Sequence, residues 1–341
     1  MFVSIIIVNY RDYDMTEDCL HSLTATTYPD YEVIVVDNES DPDELEKLAR
    51  KFPAFHFFGS DQNLYYAGGN NLGIKEARGD LIILLNNDTK VTPGWLEPLV
   101  NFARENPKSF CQPQIFFMDR PEVINSAGNT MNVFGFSFPL GIGQKAGGLK
   151  EPAEVFYCSG ACVAATREAL DTVGLLDSLL YNYYEDVNWG WRARLLGIRS
   201  FVVPESVIYH KWGGSYSNKL GPKKFFYLER ARMASVLRNF TARTLVVLAP
   251  SLLLIDVAMG IYCIKSGMFR EKLAAGIDVW KNLGSIMSER RLIQSTRKVS
   301  DTQIIRACSM EINHPYFDSS PAAKKLLDGL SAACMKLLLL L

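Results

Sequence analysis

Leu81–Leu85 reads LIILL and is followed at once by Asn86-Asn87-Asp88. An unbroken apolar run of this length fits a strand covered on both faces, the kind found in parallel sheets. Upstream, the same form repeats. Val3–Val8 (VSIIIV) runs into Asn9-Tyr10-Arg11-Asp12, Glu32–Val36 (EVIVV) runs into Asp37-Asn38-Glu39, and Phe55–Phe58 is a third strand. Between them lie helical spacings. Residues 14–27 carry Met15, Cys19, Leu20 and Leu23; Asp43–Phe52 carries Leu45, Leu48, Ala49 and Phe52; Ala67–Arg78 is glycine-rich at its start. Strand and helix alternating in this way predict an α/β fold with a mostly parallel central sheet and flanking helices.

In such sheets ligands bind beyond the C-terminal ends of the strands. Three strand ends here deliver amides or carboxylates: Asn9-Tyr10, Asp37-Asn38 and Asn86-Asn87-Asp88. One acidic turn is commonly a solvated loop or a helix cap. Three at equivalent positions predict a nucleotide site. Further along, Ala127–Gly148 is rich in glycine and reads as a long loop or hairpin near that site.

The chain of 341 residues is 48% hydrophobic and 21% charged, which excludes disordered and fibrous classes. Its net charge of −1 conceals an asymmetry: residues 1–100 hold 7 basic and 17 acidic side chains, residues 219–341 hold 19 and 9. The basic third is expected to meet an anionic membrane surface or a phosphate-rich substrate, and no nucleic-acid partner is expected. The apolar start is too short for a secretory signal and lacks a basic leader. The seven cysteines form no CxxC pair and are expected to be reduced core thiols.

Six ordered stretches resemble the family 2 glycosyltransferases of the GT-A (nucleotide-diphospho-sugar transferase) fold. They are SIIIVNYR at 4–11, VVDNES at 35–40, NLYYAGGNNLGI at 63–74, GDLIILLNNDT at 79–89, YYEDVNWGWRARLLG at 183–197 and YHKWGGS at 209–215. The likeness covers about residues 1–240 and is greatest to the bacterial and archaeal rhamnosyltransferase-like enzymes. It implies a catalytic domain over residues 1–220, followed by a helical, basic and apolar region over 221–341. The boundary falls near Gly213-Gly214-Ser215 and Gly221-Pro222, which supply turn chemistry.

The chemistry of a diphosphate leaving group calls for a divalent cation with oxygen or imidazole ligands. Asp88 takes the place of the last acid in the family's Asp-x-Asp element; Asn86 stands for the first, which makes the site one charge poorer. His210 is, on the residues alone, either a structural histidine or a metal ligand; the resemblance implies a ligand for Mg2+ or Mn2+. Glu185-Asp186 lies among aromatics in Tyr181–Trp191, where low dielectric raises carboxylate pKa values. Two acids at a helix start also suit the helix dipole. The resemblance implies that Asp186 is the base, with Glu185 beside it and Asn188 where the family has another acid. It also implies that Asp37 reads a nucleobase edge, that Asn9 and Tyr10 hold base and ribose, and that Asn87 lies with Asp88 in the donor site. Gly68 and Gly69 offer amides to the donor, pack helix on sheet, or do both. Many relatives carry Arg where Gly69 stands, and its absence favours thymidine-diphosphate over uridine-diphosphate donors. Trp189 is assigned to the acceptor side and Trp212 to a mobile loop closing on the donor.

Residues 244–264 (TLVVLAPSLLLIDVAMGIYCI) are apolar but broken by Pro250 and Asp256. Basic flanks on both sides (7 basic and 1 acidic over 219–243, 8 and 3 over 265–298) fit headgroups better than an orientation rule. A helix lying in the membrane interface is expected, with a core helix and a true span as alternatives. The reading that follows is an inverting, metal-dependent transferase on the cytoplasmic face of a membrane, peripheral to it. It moves rhamnose or a similar deoxyhexose to a glycan or a polyprenyl-diphosphate-linked glycan in cell-surface polysaccharide synthesis. The alternatives are a hexosyl or galactofuranosyl transferase using a UDP-sugar, and a catalytically silent glycan-binding module.

Overall fold

The computed structural model describes residues 1–180, 182–211, 220–310 and 321–340. The first half alternates as its periodicity predicts: β1 (Val3–Asn9), α1 (Tyr13–Leu23), β2 (Tyr31–Asn38), α2 (Pro42–Lys51), β3 (His56–Ser60), α3 (Tyr65–Glu76) and β4 (Leu81–Asn86). There follow β5 (Thr89–Val91), α4 (Leu96–Glu105), β6 (Ser109–Phe117), β7 (Ile124–Ser126), β8 (Asn129–Met131), β9 (Ser137–Pro139), β10 (Ala153–Val155), β11 (Cys162–Thr166), α5 (Arg167–Val173), α6 (Glu185–Leu195) and β12 (Arg199–His210). The rest is helical: α7 (Pro222–Asn239), α8 (Ala242–Lys265), α9 (Phe269–Lys281), α10 (Leu283–Thr296), α11 (Asp301–Ala307) and α12 (Pro321–Leu340).

The main sheet runs β10-β12-β6-β11-β4-β1-β2-β3, with β5 on β12 and β7 on β6. The strands β4, β1, β2 and β3 are parallel, in a register that pairs Asn9 with Asp37 and Val8 with Asn86. Their C-terminal ends therefore align. The chain lays β2 and β3 on one side of β1, then returns to lay β4 on the other, so β1/β4 is a topological switch point. Residues of β1, β2 and β4 are buried on both faces, which explains their continuous apolar sequence. Beyond β4 the direction inverts: β11 is antiparallel to both β4 and β6. The glycine-rich stretch after residue 127 forms the small β8–β9 hairpin. All seven cysteines are buried free thiols.

Close approach of α3 to the sheet depends on glycine. A Cβ on Gly73 would lie 2.4 Å from Ile6 Cγ2, and one on Gly69 would lie 2.8 Å from Val8 Cγ1. Any larger residue would push the helix off β1.

By contact density the chain divides into two units: residues 1–129, 139–190 and 198–218, and residues 130–138, 191–197 and 219–341. The second is a helical assembly fastened by buried charge. Glu229 of α7, 3% exposed, accepts from Arg232 at 2.8 Å and from Lys272 of α9 at 2.8 Å. Lys272 also pairs with Asp256 of α8, Arg230 with Asp278, and Arg238 with Glu289. Burial pushes the Glu229 carboxyl up, but Arg232 and Lys272 outweigh it and hold the group down to about 2.

Replacing Glu229 with Ala leaves Arg232 and Lys272 buried beside no carboxylate, so unfolding free energy should fall by about 3–5 kcal/mol, read by urea denaturation followed by circular dichroism. The folded pKa lies below the ordinary value near 4.5, so the stabilisation by Glu229 is complete above that pH and is lost as pH falls towards 2. A Glu229→Ala stability curve should lack that acid-dependent component.

Candidate functional site

Asn9, at the end of β1, is fully buried and makes the first connection: its Nδ2 donates to Asp37 Oδ1 at 2.7 Å. Asp37 Oδ2 accepts from Tyr13 Oη at 2.8 Å and Ser40 Oγ at 2.8 Å. Asn9 Oδ1 accepts from Thr16 Oγ1 at 2.9 Å and from the Asp12 amide at 3.2 Å. Asn87 Nδ2 donates to Thr16 Oγ1 at 3.0 Å. One buried network thus ties the ends of β1, β2 and β4 to the start of α1. Burial and the Asp37 carboxylate push the Tyr13 phenol up to about 12, which keeps it a donor. Asp37 is fully buried and already accepts three hydrogen bonds. A carboxylate has about four acceptor positions, so a nucleobase N–H reaches it only at the last of these or by displacing a hydroxyl. Tyr10 is half-buried, with the Arg11 guanidinium 5.5 Å from its ring centre.

Asp88 follows β4 in the turn to β5, and β5 pairs with the end of β12, setting His210 opposite Thr89. His210 Nε2 comes within 3.1 Å of Asp88 Oδ1. The other ring nitrogen, Nδ1, lies 3.3 Å from Asn125 Oδ1. With Nδ1–H donating to that oxygen, the Nε2 lone pair points at a carboxylate oxygen. Two lone pairs at that distance want a shared proton or cation between them, and a histidine that donates from its far nitrogen is the usual arrangement at a metal. Among the described residues no group of three or more His, Cys, Asp and Glu is placed to hold a metal ion. The Asp88–His210 pair sets a carboxylate oxygen and an imidazole nitrogen side by side, two atom types able to ligate a divalent cation.

Asp186, in the first turn of α6, is partly exposed. Its Oδ2 accepts from the Gly160 amide at 2.9 Å and its Oδ1 from the Val187 amide at 2.8 Å. Gly160 precedes β11, whose register sets Cys162 against Leu85, and the neighbouring Asn86 amide donates to the Ala161 carbonyl at 2.9 Å. Asp186 is therefore anchored one residue from the strand that carries the Asn86–Asp88 turn. Tyr66 closes the arrangement, its hydroxyl donating to the Gly160 carbonyl at 2.6 Å. Burial, then the charges of Glu185, Asp186 and Asp88, hold the Tyr66 phenol well above its ordinary value.

The two adjacent carboxyls differ. Glu185 is buried at 7% exposure, its Oε2 has no hydrogen-bond partner, and burial followed by the charge of Asp186 pushes it well above the ordinary range. Asp186 is raised by burial too, but two backbone amides oppose the shift. Both carboxyls are thus raised, Glu185 with no hydrogen bond to its Oε2 to oppose the shift and Asp186 with two amide donors that do.

Two assignments made from sequence need correction. Trp189 does not face an acceptor: it is 2% exposed, its ring centre is 4.5 Å from that of Phe110, and its Nε1 donates to the Gly174 carbonyl. The aromatic cluster around Glu185-Asp186 is in part core packing from an inward helix face. Gly68 does not offer its amide to a ligand. The helix begins at Tyr65, two residues before the expected start, and the Gly68 N–H donates to the Leu64 carbonyl. Trp212 lies outside the described residues. Sequence reasoning missed Thr16, Tyr66, Gly160 and Asn125. Tyr66 stands within the NLYYAGGNNLGI motif; the others carry no local signal, because their roles come from contacts far apart in the chain.

Five non-glycine residues adopt positive φ among the described residues: Arg11, Glu39, Tyr65, Tyr183 and Tyr184. All flank the site, after β1, after β2, at the start of α3 and just before Glu185. Backbone strain of this kind collects where geometry is functional.

The sequence matches the family "Glycosyl transferase family 2" over residues 4–174, half of the chain. The chain belongs to glycosyl transferase family 2, and its architecture is the GT-A fold with a helical C-terminal region. It is 28% identical over 239 residues to the O-antigen biosynthesis protein RfbC of Myxococcus xanthus, a match covering 66% of this chain but only 18% of that protein. It is 26% identical over 231 residues to the N-acetylglucosaminyl-diphospho-decaprenol L-rhamnosyltransferase of Mycobacterium tuberculosis, covering 61% of this chain and 75% of that one. The crystal structure of GalNAc-T7 with UDP, GalNAc and Mn2+ superposes with a TM-score of 0.58 at 17% identity, over 70% of this chain and 48% of that one.

Thr16→Val should leave Asn87 Nδ2 only its 3.5 Å contact with Asn9 Oδ1 and remove a donor from Asn9. Unfolding free energy should drop by about 1–3 kcal/mol in urea titrations, while Thr16→Ser stays near wild type.

Proposed function

We propose that this glycosyltransferase moves a sugar with inversion from a nucleoside-diphosphate donor to an acceptor hydroxyl. The observation that carries the reading is the anchoring of Asp186 beside the strand end that holds the Asp88–His210 pair. Asp186 takes the proton of the acceptor hydroxyl as that oxygen bonds to the anomeric carbon. The bond from that carbon to the diphosphate breaks on the opposite side, and the nucleoside diphosphate departs with the electron pair. Asp88 and His210 would hold Mg2+ or Mn2+, whose Lewis acidity offsets charge on the leaving diphosphate. Asn9, Tyr10, Asp37 and Asn87 form the floor of the donor site. Burial and the charge of Asp186 bias Glu185 towards its protonated form, which limits negative charge beside the base.

Gly69 bears on the donor. Val8 leaves no space for a side chain there, so no arginine grips uracil from this position, and a thymidine-diphosphate deoxyhexose such as rhamnose is favoured over a UDP-hexose. The basic C-terminal region suits a polyprenyl-diphosphate-linked glycan as acceptor, in cell-surface polysaccharide synthesis. On this reading residues 1–220 are the catalytic domain and residues 221–341 associate peripherally with the cytoplasmic face of the membrane. The similarity to an O-antigen biosynthesis protein and to an N-acetylglucosaminyl-diphospho-decaprenol L-rhamnosyltransferase supports the choice of acceptor class.

Asp186→Asn should reduce transfer by roughly a hundredfold or more while donor affinity by calorimetry stays near wild type; substantial turnover would remove the base assignment. Because burial raises the Asp186 carboxyl, activity should rise with pH through a limb above the free aspartate value of about 3.9, and that limb should vanish in the variant. Asp88→Ala should abolish the manganese-dependent part of nucleotide binding in a thermal-shift screen of dTDP- and UDP-sugars. Unchanged manganese dependence would reject the metal role.

A further inference from the structure

On α8, Val246, Leu253, Val257, Ile261 and Ile264 are 52–73% exposed. Their spacings of seven, four, four and three place them along one face of the helix. Leu248, Ile255, Met259 and Cys263 are buried on the other. Only 22% of the most apolar window of α8 is buried. The next helix repeats the arrangement. Phe269, Leu273, Ile277 and Trp280 of α9 follow spacings of four, four and three and are 40–75% exposed, while Lys272, Ala275 and Val279 are buried. A turn at Ser266-Gly267 joins the two helices. Gly267 takes φ +71°, and the Met268 amide donates to the Cys263 carbonyl at 2.8 Å. Two successive helices thus each present a stripe of large apolar side chains, and soluble monomers rarely show so much in one region.

We propose that α8 and α9 together form a surface that seats the chain on an anionic lipid bilayer, a deepening that rests on the membrane reading above and extends it to α9. Charge at the helix ends names the occupant. Arg243 and Lys265 bracket α8, Arg270 and Lys281 bracket α9, and all four are exposed. Of the three acidic groups on the two helices, Asp256 pairs with Lys272 and Asp278 with Arg230, while Glu271 stands beside Arg270 in the first turn of α9. Cations at both ends of apolar stripes match phosphate headgroups on either side of a shallowly buried helix. At 24 residues α8 is long enough to cross a bilayer, but Leu248, Ile255, Met259 and Cys263 are buried, so only its other face is free for lipid and the pair lies along the membrane. With 13 residues α9 is ~20 Å long, shorter than the roughly 30 Å hydrocarbon core. Trp280, 75% exposed beside Lys281, stands where an indole settles at the headgroup boundary.

The test uses the full chain with phosphatidylcholine vesicles, with and without phosphatidylglycerol, and brominated acyl chains as a quencher of tryptophan emission. Vesicles containing phosphatidylglycerol should sediment the protein and quench part of its emission. That part should be missing in Trp280→Phe, which should still sediment. The doubly substituted Leu273→Glu, Ile277→Glu chain, changed only at exposed positions, should bind roughly tenfold more weakly or worse. Sedimentation without any Trp280-dependent quenching would overturn the role of α9 and leave the membrane reading standing. No sedimentation with either vesicle, together with a dimer by light scattering, would overturn both and assign the stripes to a second copy of the chain.

Discussion

Everything at the C-terminal edge of the parallel strands depends on the hydrogen bond from Asn9 to Asp37 and on the network that grows from it. A buried carboxylate is costly unless donors surround it. Here the donors come from three elements: Asn9 at the end of β1, Tyr13 in α1 and Ser40 after β2. Satisfying Asp37 therefore fixes where β1 stops, how α1 enters and where the β2 loop turns. Asn87 is drawn into the same network through Thr16, which orients the turn that carries Asp88. The polarity that a ligand site requires and the constraint that orders the strand ends are the same set of groups.

That duality explains what could be read from sequence. The apolar runs of β1, β2 and β4 are long, continuous and flanked by polar stops, so strand type, parallel direction and the polar edge at the strand ends follow from one-dimensional pattern. The inversion at β11 does not. CVAAT is as apolar as the parallel strands, and its antiparallel direction is set by pairing with β4, some 80 residues upstream. Trp189 was misread for a related reason: aromatic density near two acids looks the same whether the rings line a cleft or fill the core behind it, and only the Phe110 contact and the bond to Gly174 tell them apart. Gly68 and Gly69 were visible as a place of close approach. Whether backbone met ligand or sheet needed the position of Val8.

Adjacent carboxyls at a helix start present an electrostatic problem that the fold resolves by unequal solvation. Glu185 is enclosed with an unpartnered oxygen, whereas Asp186 receives two amide donors and some solvent. Burial therefore raises the first with little opposition, while the amide donors hold the second closer to its ordinary range. The backbone turns through two positive-φ tyrosines, Tyr183 and Tyr184, directly before the pair. That conformation costs free energy on the order of 1–3 kcal/mol per residue, and it sets the angle at which α6 begins and hence where Asp186 sits.

In the helical unit the distribution of charge reverses the usual arrangement. Glu229, Arg232 and Lys272 lie inside, and Val246, Leu253, Leu273 and Trp280 lie outside. A helix pair whose ionic groups pack inward cannot turn its apolar stripes towards the same neighbours, because Lys272 already binds α9 to Asp256 of α8 and Glu229 of α7. The inward charges thus do more than join helices: they fix which face of each is left over. Asp256, which in the sequence argued against contact with lipid, is neutralised by Lys272. The same lysine that secures the interior removes the chief electrostatic objection to an apolar exterior.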